Sequence, residues 1–249
     1  MILLKNDNEF ELMKKAGSIL AMTMKYIAQW IMPGTLLDLI DKKAHEFLVE
    51  HDTHPSFLGL YGYPYSLCAS INNEVIHGFP SKSKRLNEGD IVSIDIGCCY
   101  QGYHADMAYT FPVGQITAER KKLLDVTQNS LDKAIDTACP GATLGDIGYI
   151  IQHTVETSNY SVVRDYTGHG IGMHVHEEPQ IPNFGHKGKG MELKKGMALA
   201  IEPMVNAGSH LVRTLDDKWT VVTQDGCDSA HFEHTVFIRD SGPEVLTRM

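Results

Sequence analysis

Apolar positions recur at steps of three and four near the N-terminus. Phe10, Met13, Gly17, Leu20, Met24, Ile27 and Ile31 fall on one face, which predicts an amphipathic helix. Met32-Pro33-Gly34 stops it. Thr35 and Asp38 resemble the capping box of a second helix running to about His51, with Ile40, Ala44 and Phe47 on its buried face. The plan then repeats. A helix from about Ala118 buries Leu124, Leu131 and Ile135 and stops near Pro140-Gly141. Another follows, with Thr143 and Asp146 as cap signals and Ile147, Ile151 and Val155 as its face.

After each helix pair the apolar pattern shortens to strands. Ile91 to Gly97 and Tyr103 to Phe111 flank a turn at Gln101-Gly102 and predict a hairpin. Met197 to Ile201, Trp219 to Val222 and His231 to Ile238 are the strand candidates of the second half. Two helices followed by antiparallel strands, twice over, predict an α+β architecture with helices covering one face of a sheet.

The repetition reaches individual residues. Leu86-Asn87-Glu88-Gly89-Asp90-Ile91-Val92-Ser93-Ile94-Asp95 aligns with Leu193-Lys194-Lys195-Gly196-Met197-Ala198-Leu199-Ala200-Ile201-Glu202, 107 positions later. The same offset pairs Pro33-Gly34 with Pro140-Gly141, Leu37 with Leu144 and Ile40 with Ile147. The expectation is a single domain over 1–249, built of pseudo-repeats spanning roughly 7–113 and 114–249.

Both copies of the repeated strand end on a carboxylate. A buried charge is costly unless something positive meets it, so Asp95 and Glu202 suggest a cation between the halves. With the turn at Gln101-Gly102, Asp95 lies opposite Ala108 and Asp106 opposite Gly97, so both aspartates share a face as diagonal neighbours. Two like charges there suppress each other's ionisation unless a cation separates them. Glu233 sits in the last predicted strand, and His169 lies in Thr167-Gly168-His169-Gly170-Ile171-Gly172, whose glycines let the backbone bend closely around one imidazole. Each residue has a plainer alternative: a turn aspartate, a loop histidine, a solvent-facing acid. Together they form an oxygen-rich set suited to two divalent ions, with manganese, iron, cobalt and zinc all admissible. Two such ions share a water and lower its pKa for hydrolysis.

Composition narrows the partners. The formal charge of −9, with acidic and basic residues interspersed, argues against a nucleic-acid surface. No run of eighteen apolar residues predicts a membrane span, and the first residues lack the pattern of a signal peptide. Five cysteines without zinc-type spacing read as reduced thiols of a cytoplasmic protein. A monomer is the default expectation.

The order Asp95, Asp106, His169, Glu202, Glu233 comes with four further motifs: Asn73-Glu74-Val75-Ile76-His77-Gly78, Gly168-His169-Gly170-Ile171-Gly172, His176-Glu177-Glu178-Pro179 and Ile201-Glu202-Pro203. The set resembles the methionine aminopeptidases over nearly the whole chain. That resemblance implies a pita-bread fold and a dinuclear metallopeptidase acting on the N-termini of nascent polypeptides, with association with the ribosome as an extension. It implies Asp95 as a ligand of one metal, His169 and Glu202 of the other, and Asp106 and Glu233 as bridges. Glu202 would also help deprotonate the bridging water. His176 resembles the residue that stabilises the tetrahedral oxyanion, and His77 the one contacting the substrate amide, roles that suit imidazole. Phe57, Leu60, Tyr63, Cys68 and Trp219 match the pocket for the methionine side chain. Val175 stands where bacterial relatives commonly carry an aromatic residue. Glu202 and Glu233 are only 31 residues apart, too close for the helical insertion of type II enzymes, so the resemblance is to the compact bacterial type I. Two alternatives remain: a prolidase or aminopeptidase P of the same fold, which usually carries a further N-terminal domain, and a non-catalytic binding protein, which typically loses ligands and gains basic segments.

Overall fold

The structure, a computed structural model, describes residues 2–248. Helix α1 spans Asp7–Ala28 and α2 Leu37–Glu50; strands β1 (His54–Pro55), β2 (Cys68–Ile71), β3 (Glu74–Ile76), β4 (Ile91–Tyr100) and β5 (Tyr103–Pro112) follow. Helices α3 (Ala118–Thr137) and α4 (Leu144–Glu156) open the second half. Strands β6 (Ser161–Val162), β7 (Gly168–Gly170), β8 (Glu177–Ile181), β9 (Ala198–Ile201) and β10 (Met204–Asn206) come next, then β11 (Val212–Thr214), β12 (Val221–Thr223), β13 (Ser229–His231), β14 (His234–Arg239) and β15 (Gly242–Val245).

The long hairpin β4–β5 turns at Gln101 and Gly102, whose φ of 48° and 87° are the paired left-handed values that a tight hairpin turn requires. Its register sets Asp95 opposite Ala108 and Gly97 opposite Asp106, as the alternation predicts. On its other edge β4 pairs with β1 and β2. A second antiparallel sheet runs β15-β14-β9-β7-β8, a third β13-β10-β6, and a fourth, β11-β12-β3, joins strands of both halves. Among the backbone bonds that cross between the two halves is a reciprocal pair: Glu233 N–H donates to the Ala108 carbonyl (2.9 Å) and Ala108 N–H to that of Glu233 (3.4 Å).

Helices α1 and α2 bury Leu20, Met24, Ile27, Ile40 and Leu48 against Ile94, Ile96 and Met107 of the hairpin. Helices α3 and α4 bury Leu131, Ile147 and Ile151 against Leu199, Ile201 and Val236. Each such side chain contributes about 1.5–3 kcal/mol on leaving water, so each helix pair is fixed to its own strands. Positions 107 apart make matching backbone bonds. Gly34 N–H donates to Leu86 O (2.8 Å) and Gly141 N–H to Leu193 O (3.0 Å); Leu37 N–H donates to Lys84 O (3.0 Å) and Leu144 N–H to Met191 O (2.9 Å). Gly34 and Gly141 hold φ of 93° and 88°, a conformation that L side chains resist.

Four details depart from expectation. Helix α1 ends at Ala28, so Ile31 lies beyond it. Helix α2 has Leu36 at its N-cap with no side-chain cap, whereas Thr143 and Asp146 do form the capping box of α4. Phe47 is half-buried, stacked between Tyr26 and His51. The single strand expected over His231 to Ile238 is broken at Phe232-Glu233, because Glu233 turns its backbone to Ala108 of the other half.

Candidate metal centre

The strand registers bring five sequence-distant side chains to one place. Asp95 and Asp106 project from one face of the β4–β5 hairpin. His169 lies opposite Ala200 in β9, and Glu202 follows two residues on, so period-two alternation directs both to the same side. Glu233 occupies the break between β13 and β14, pinned to Ala108, which is itself the cross-strand partner of Asp95.

His169 Nε2 stands 3.4 Å from Glu202 Oε1 and 4.0 Å from Asp106 Oδ2. Its Nδ1–H donates to the Gly170 carbonyl (2.9 Å), which leaves Nε2 with the lone pair a metal requires. Ligand atoms of Asp106, His169 and Glu233 lie within 4.8 Å of one another, as do those of Glu202, His231 and Glu233. Asp95 stands outside both of these groups, beside Asp106.

The electrostatics are those of a site built around positive charge. Burial raises the carboxyl pKa of Asp95 to about 7. Burial, then the neighbouring Asp95 and Glu202 charges, pushes Asp106 well above its ordinary range. Glu233 rises strongly through burial and the Asp106, Glu202 and Asp95 charges, and Glu202 through burial. Burial lowers His169 to about 4. Asp95 Oδ1, Asp106 Oδ1 and Glu233 Oε1 are enclosed without a hydrogen-bond partner, a costly state for carboxylate oxygens. Ligands held about 2.0–2.2 Å from one ion stand about 3–4 Å apart, the separations seen around His169 Nε2. The donor set therefore fits divalent cations.

This centre lies in a cavity of about 520 Å³. Phe57, Leu60, Tyr63, Cys68 and Trp219 line it, together with His77 and His176. Phe57, Tyr63, Cys68 and Val175 form one buried apolar cluster, with Leu60 and Trp219 packed against it. The pairing of β3 with β12 brings His77, just after β3, edge-on to Trp219, at a centroid distance of 6.4 Å. His77 holds a φ of 57°, rare for a non-glycine residue, and burial lowers its pKa to about 4. His176 packs edge-on against His169 at 4.6 Å, and the exposed Tyr61 stacks beyond it at 6.1 Å.

The sequence reasoning passed over His231, which is 1% exposed with Nε2 3.6 Å from Glu202 Oε2. Its signal was present: two residues before Glu233, it falls on the same side of an alternating segment. It also passed over Lys5, whose Nζ forms a buried 2.6 Å ion pair with Glu177, next to His176.

The metallopeptidase family M24 model matches residues 11–240. A methionine aminopeptidase of Clostridium perfringens is 54% identical over 247 residues, 99% of either chain. Methionine aminopeptidase 1 of Bacillus subtilis is 49% identical over 249 residues and all of both chains. The crystal structure of methionine aminopeptidase from Thermotoga maritima superposes with a TM-score of 0.99 at 46% identity, over 100% of each chain.

Proposed function

This chain belongs to metallopeptidase family M24, among its pita-bread methionine aminopeptidases, and from that premise we propose how its side chains release the N-terminal methionine of a polypeptide. The single observation that carries the proposal is the convergence of buried, unpaired carboxylate oxygens with the free Nε2 of His169 at one end of an apolar cavity. Asp95, Asp106, His169, Glu202 and Glu233 would hold two divalent cations, drawn from cobalt, manganese, iron and zinc. When bound, these ions supply Lewis acidity, polarising the scissile carbonyl and lowering the pKa of a water.

The chain's own groups do the remainder. Phe57, Leu60, Tyr63, Cys68 and Trp219 receive the thioether side chain, to which apolar and aromatic walls are well matched. Tyr63 is held by its hydroxyl, whose single proton is shared between the carbonyls of Leu67 and Gly78 (3.1 Å each). Glu202 accepts the proton of the attacking water. His77 and His176 stand at the cavity wall, where His176 meets the developing oxyanion and His77 the amide near the leaving nitrogen. So enclosed a site favours a small second residue. A prolidase or aminopeptidase P of this fold would use a similar ligand set, but the near-full-length relatives at 49–54% identity are methionine aminopeptidases. Among the described residues no helix is long and apolar enough to cross a membrane. We place the activity in the cytoplasm, on new chains near the ribosome and without nucleic-acid or membrane partners, carried by a monomer.

Release of methionine from a Met-Ala-Ser peptide tests this. It should require added divalent metal and be abolished by chelation. Asp106→Ala should lose both bound metal and turnover, whereas His77→Ala should slow turnover and keep the metal. Metal-independent release, or equal turnover of Met-Ala and Met-Arg peptides, contradicts the assignment.

A further inference from the structure

His231 is not among the ligands that the family resemblance implies, yet it is held at the same centre. Its N–H donates to Thr110 Oγ1 (2.9 Å), and its carbonyl accepts from the same hydroxyl (2.8 Å). Ser93 Oγ in turn stands 2.8 Å from Thr110 Oγ1, so the first half of the chain fixes the backbone of this second-half residue. The imidazole is fully enclosed, and its Nε2 has no hydrogen-bond partner. An enclosed ring nitrogen without a partner is costly, as are the three orphaned carboxylate oxygens beside it.

His231 Nε2 lies 3.6 Å from Glu202 Oε2, too far for a hydrogen bond. That separation is ordinary for two ligands of a single ion, each about 2.0–2.2 Å from it. The other oxygen of the same carboxylate, Oε1, faces His169 Nε2 at 3.4 Å. Glu202 thus stands between two imidazoles. Glu233 is shared in the same way, grouped once with Asp106 and His169 and once with Glu202 and His231.

We propose that His231 is a sixth ligand of the metal centre, binding through Nε2 a divalent cation that it shares with Glu202 and Glu233. The inference rests on the reading of the site as a metal centre and extends it. A second imidazole makes the donor set richer in nitrogen. It shifts preference towards cobalt, iron and zinc and away from manganese and magnesium, which suit all-oxygen sites.

The test uses the full chain loaded with cobalt(II). Proton NMR in water shows exchangeable imidazole N–H signals, displaced far outside the normal range, one for each coordinated histidine. The wild type should show two, from His169 and His231, and His231→Gln one. Calorimetric titration should show cobalt affinity falling at least tenfold in His231→Gln and His231→Ala, with a smaller change for manganese. Circular dichroism of the metal-free variants checks that they fold, and either variant suffices. A single displaced signal in the wild type that persists in His231→Gln overturns the proposal but leaves the metal centre standing. So does loss of turnover in His231→Gln with unchanged signals and affinity, which would mark a residue acting without ligation. Absence of any cobalt binding overturns both readings.

Discussion

The Thr235 hydroxyl clasps the backbone of Asp106: Oγ1 accepts from the Asp106 N–H and donates to the Asp106 carbonyl, both at 2.8 Å. Thr235 belongs to β14 and Asp106 to β5, so one buried hydroxyl ties a candidate metal ligand to the opposite half of the molecule. Thr235→Val keeps the shape and removes both bonds. Two enclosed backbone groups then lose their partner, each at about 1–3 kcal/mol. Urea unfolding should report that loss, and metal affinity should fall as Asp106 loosens. Thr235→Ser should restore most of both; a valine variant as stable as wild type would remove the hydroxyl from the account.

Gly170 bears on how His169 is seated. A Cβ there would collide with the Glu178 carbonyl of β8, and a Cβ at Gly168 with the Ala200 carbonyl of β9. Neighbouring backbones can approach the histidine this closely only because both flanks lack side chains. Gly170→Ala must push β8 outward, carrying Glu177 and His176 with it. The expected outcome is an overpacking loss of about 1–3 kcal/mol and weakened metal binding, measured by thermal melting and calorimetry. Unchanged metal affinity would mean that the strand spacing is not critical.

Lys5 and Glu177 form a nearly water-free ion pair, and Glu177 Oε1 also accepts the His174 N–H (3.1 Å). The N-terminal segment thereby restrains the loop that carries His176. Lys5→Met leaves a buried carboxylate without its cation, a change that costs about 3–5 kcal/mol. Adding Glu177→Gln removes the stranded charge while keeping an acceptor for His174. The double variant should therefore regain part of the stability lost by Lys5→Met, and a double-mutant cycle on urea unfolding measures the coupling.

Much of this arrangement was legible in residue order because local rules and global packing agree. Gln101-Gly102 sets the hairpin register, and that register alone puts Asp95 and Asp106 on one face. The buried face of α4 is legible from its spacing, with Ile147, Ile151 and Val155 all fully enclosed. The cap of α2 was not. Leu37 N–H finds the Lys84 carbonyl (3.0 Å), so a backbone partner already satisfies the helix start and Thr35 is not needed there. The break at Phe232-Glu233 was hidden for a related reason: it comes from bonds to Ala108, far away in sequence. Lys5 was equally opaque, since a lone basic residue near a terminus does not announce a partner at Glu177. What local pattern conceals is contact between the halves.

Acidity provides the last prediction. The folded, metal-free protein holds protons on Asp95, whose pKa is raised to about 7, and on Asp106, Glu202 and Glu233, which are raised strongly as well. An unfolded carboxylate releases its proton near pH ~4, so this contribution is complete below about 4 and is lost as pH rises through the folded values. The buried histidines oppose it at lower pH. His77 and His169 are depressed to about 4, so their contribution is present above about 6.5 and is lost as pH falls towards 4. Above about pH 7.5, a full unit past the ordinary histidine value, the histidines are neutral in both states and only the carboxylates act. The melting temperature of the metal-free protein should therefore decline from about pH 7.5 upward, at about 1.4 kcal/mol per pH unit for each proton retained by the folded state. Divalent metal should flatten the decline by replacing those protons. The same exchange requires metal binding near neutral pH to release protons, seen as a dependence of the calorimetric enthalpy on the buffer's ionisation enthalpy. Proton uptake on binding, or a metal-free protein that grows more stable over that same alkaline range, would contradict the charge balance assigned to these carboxylates.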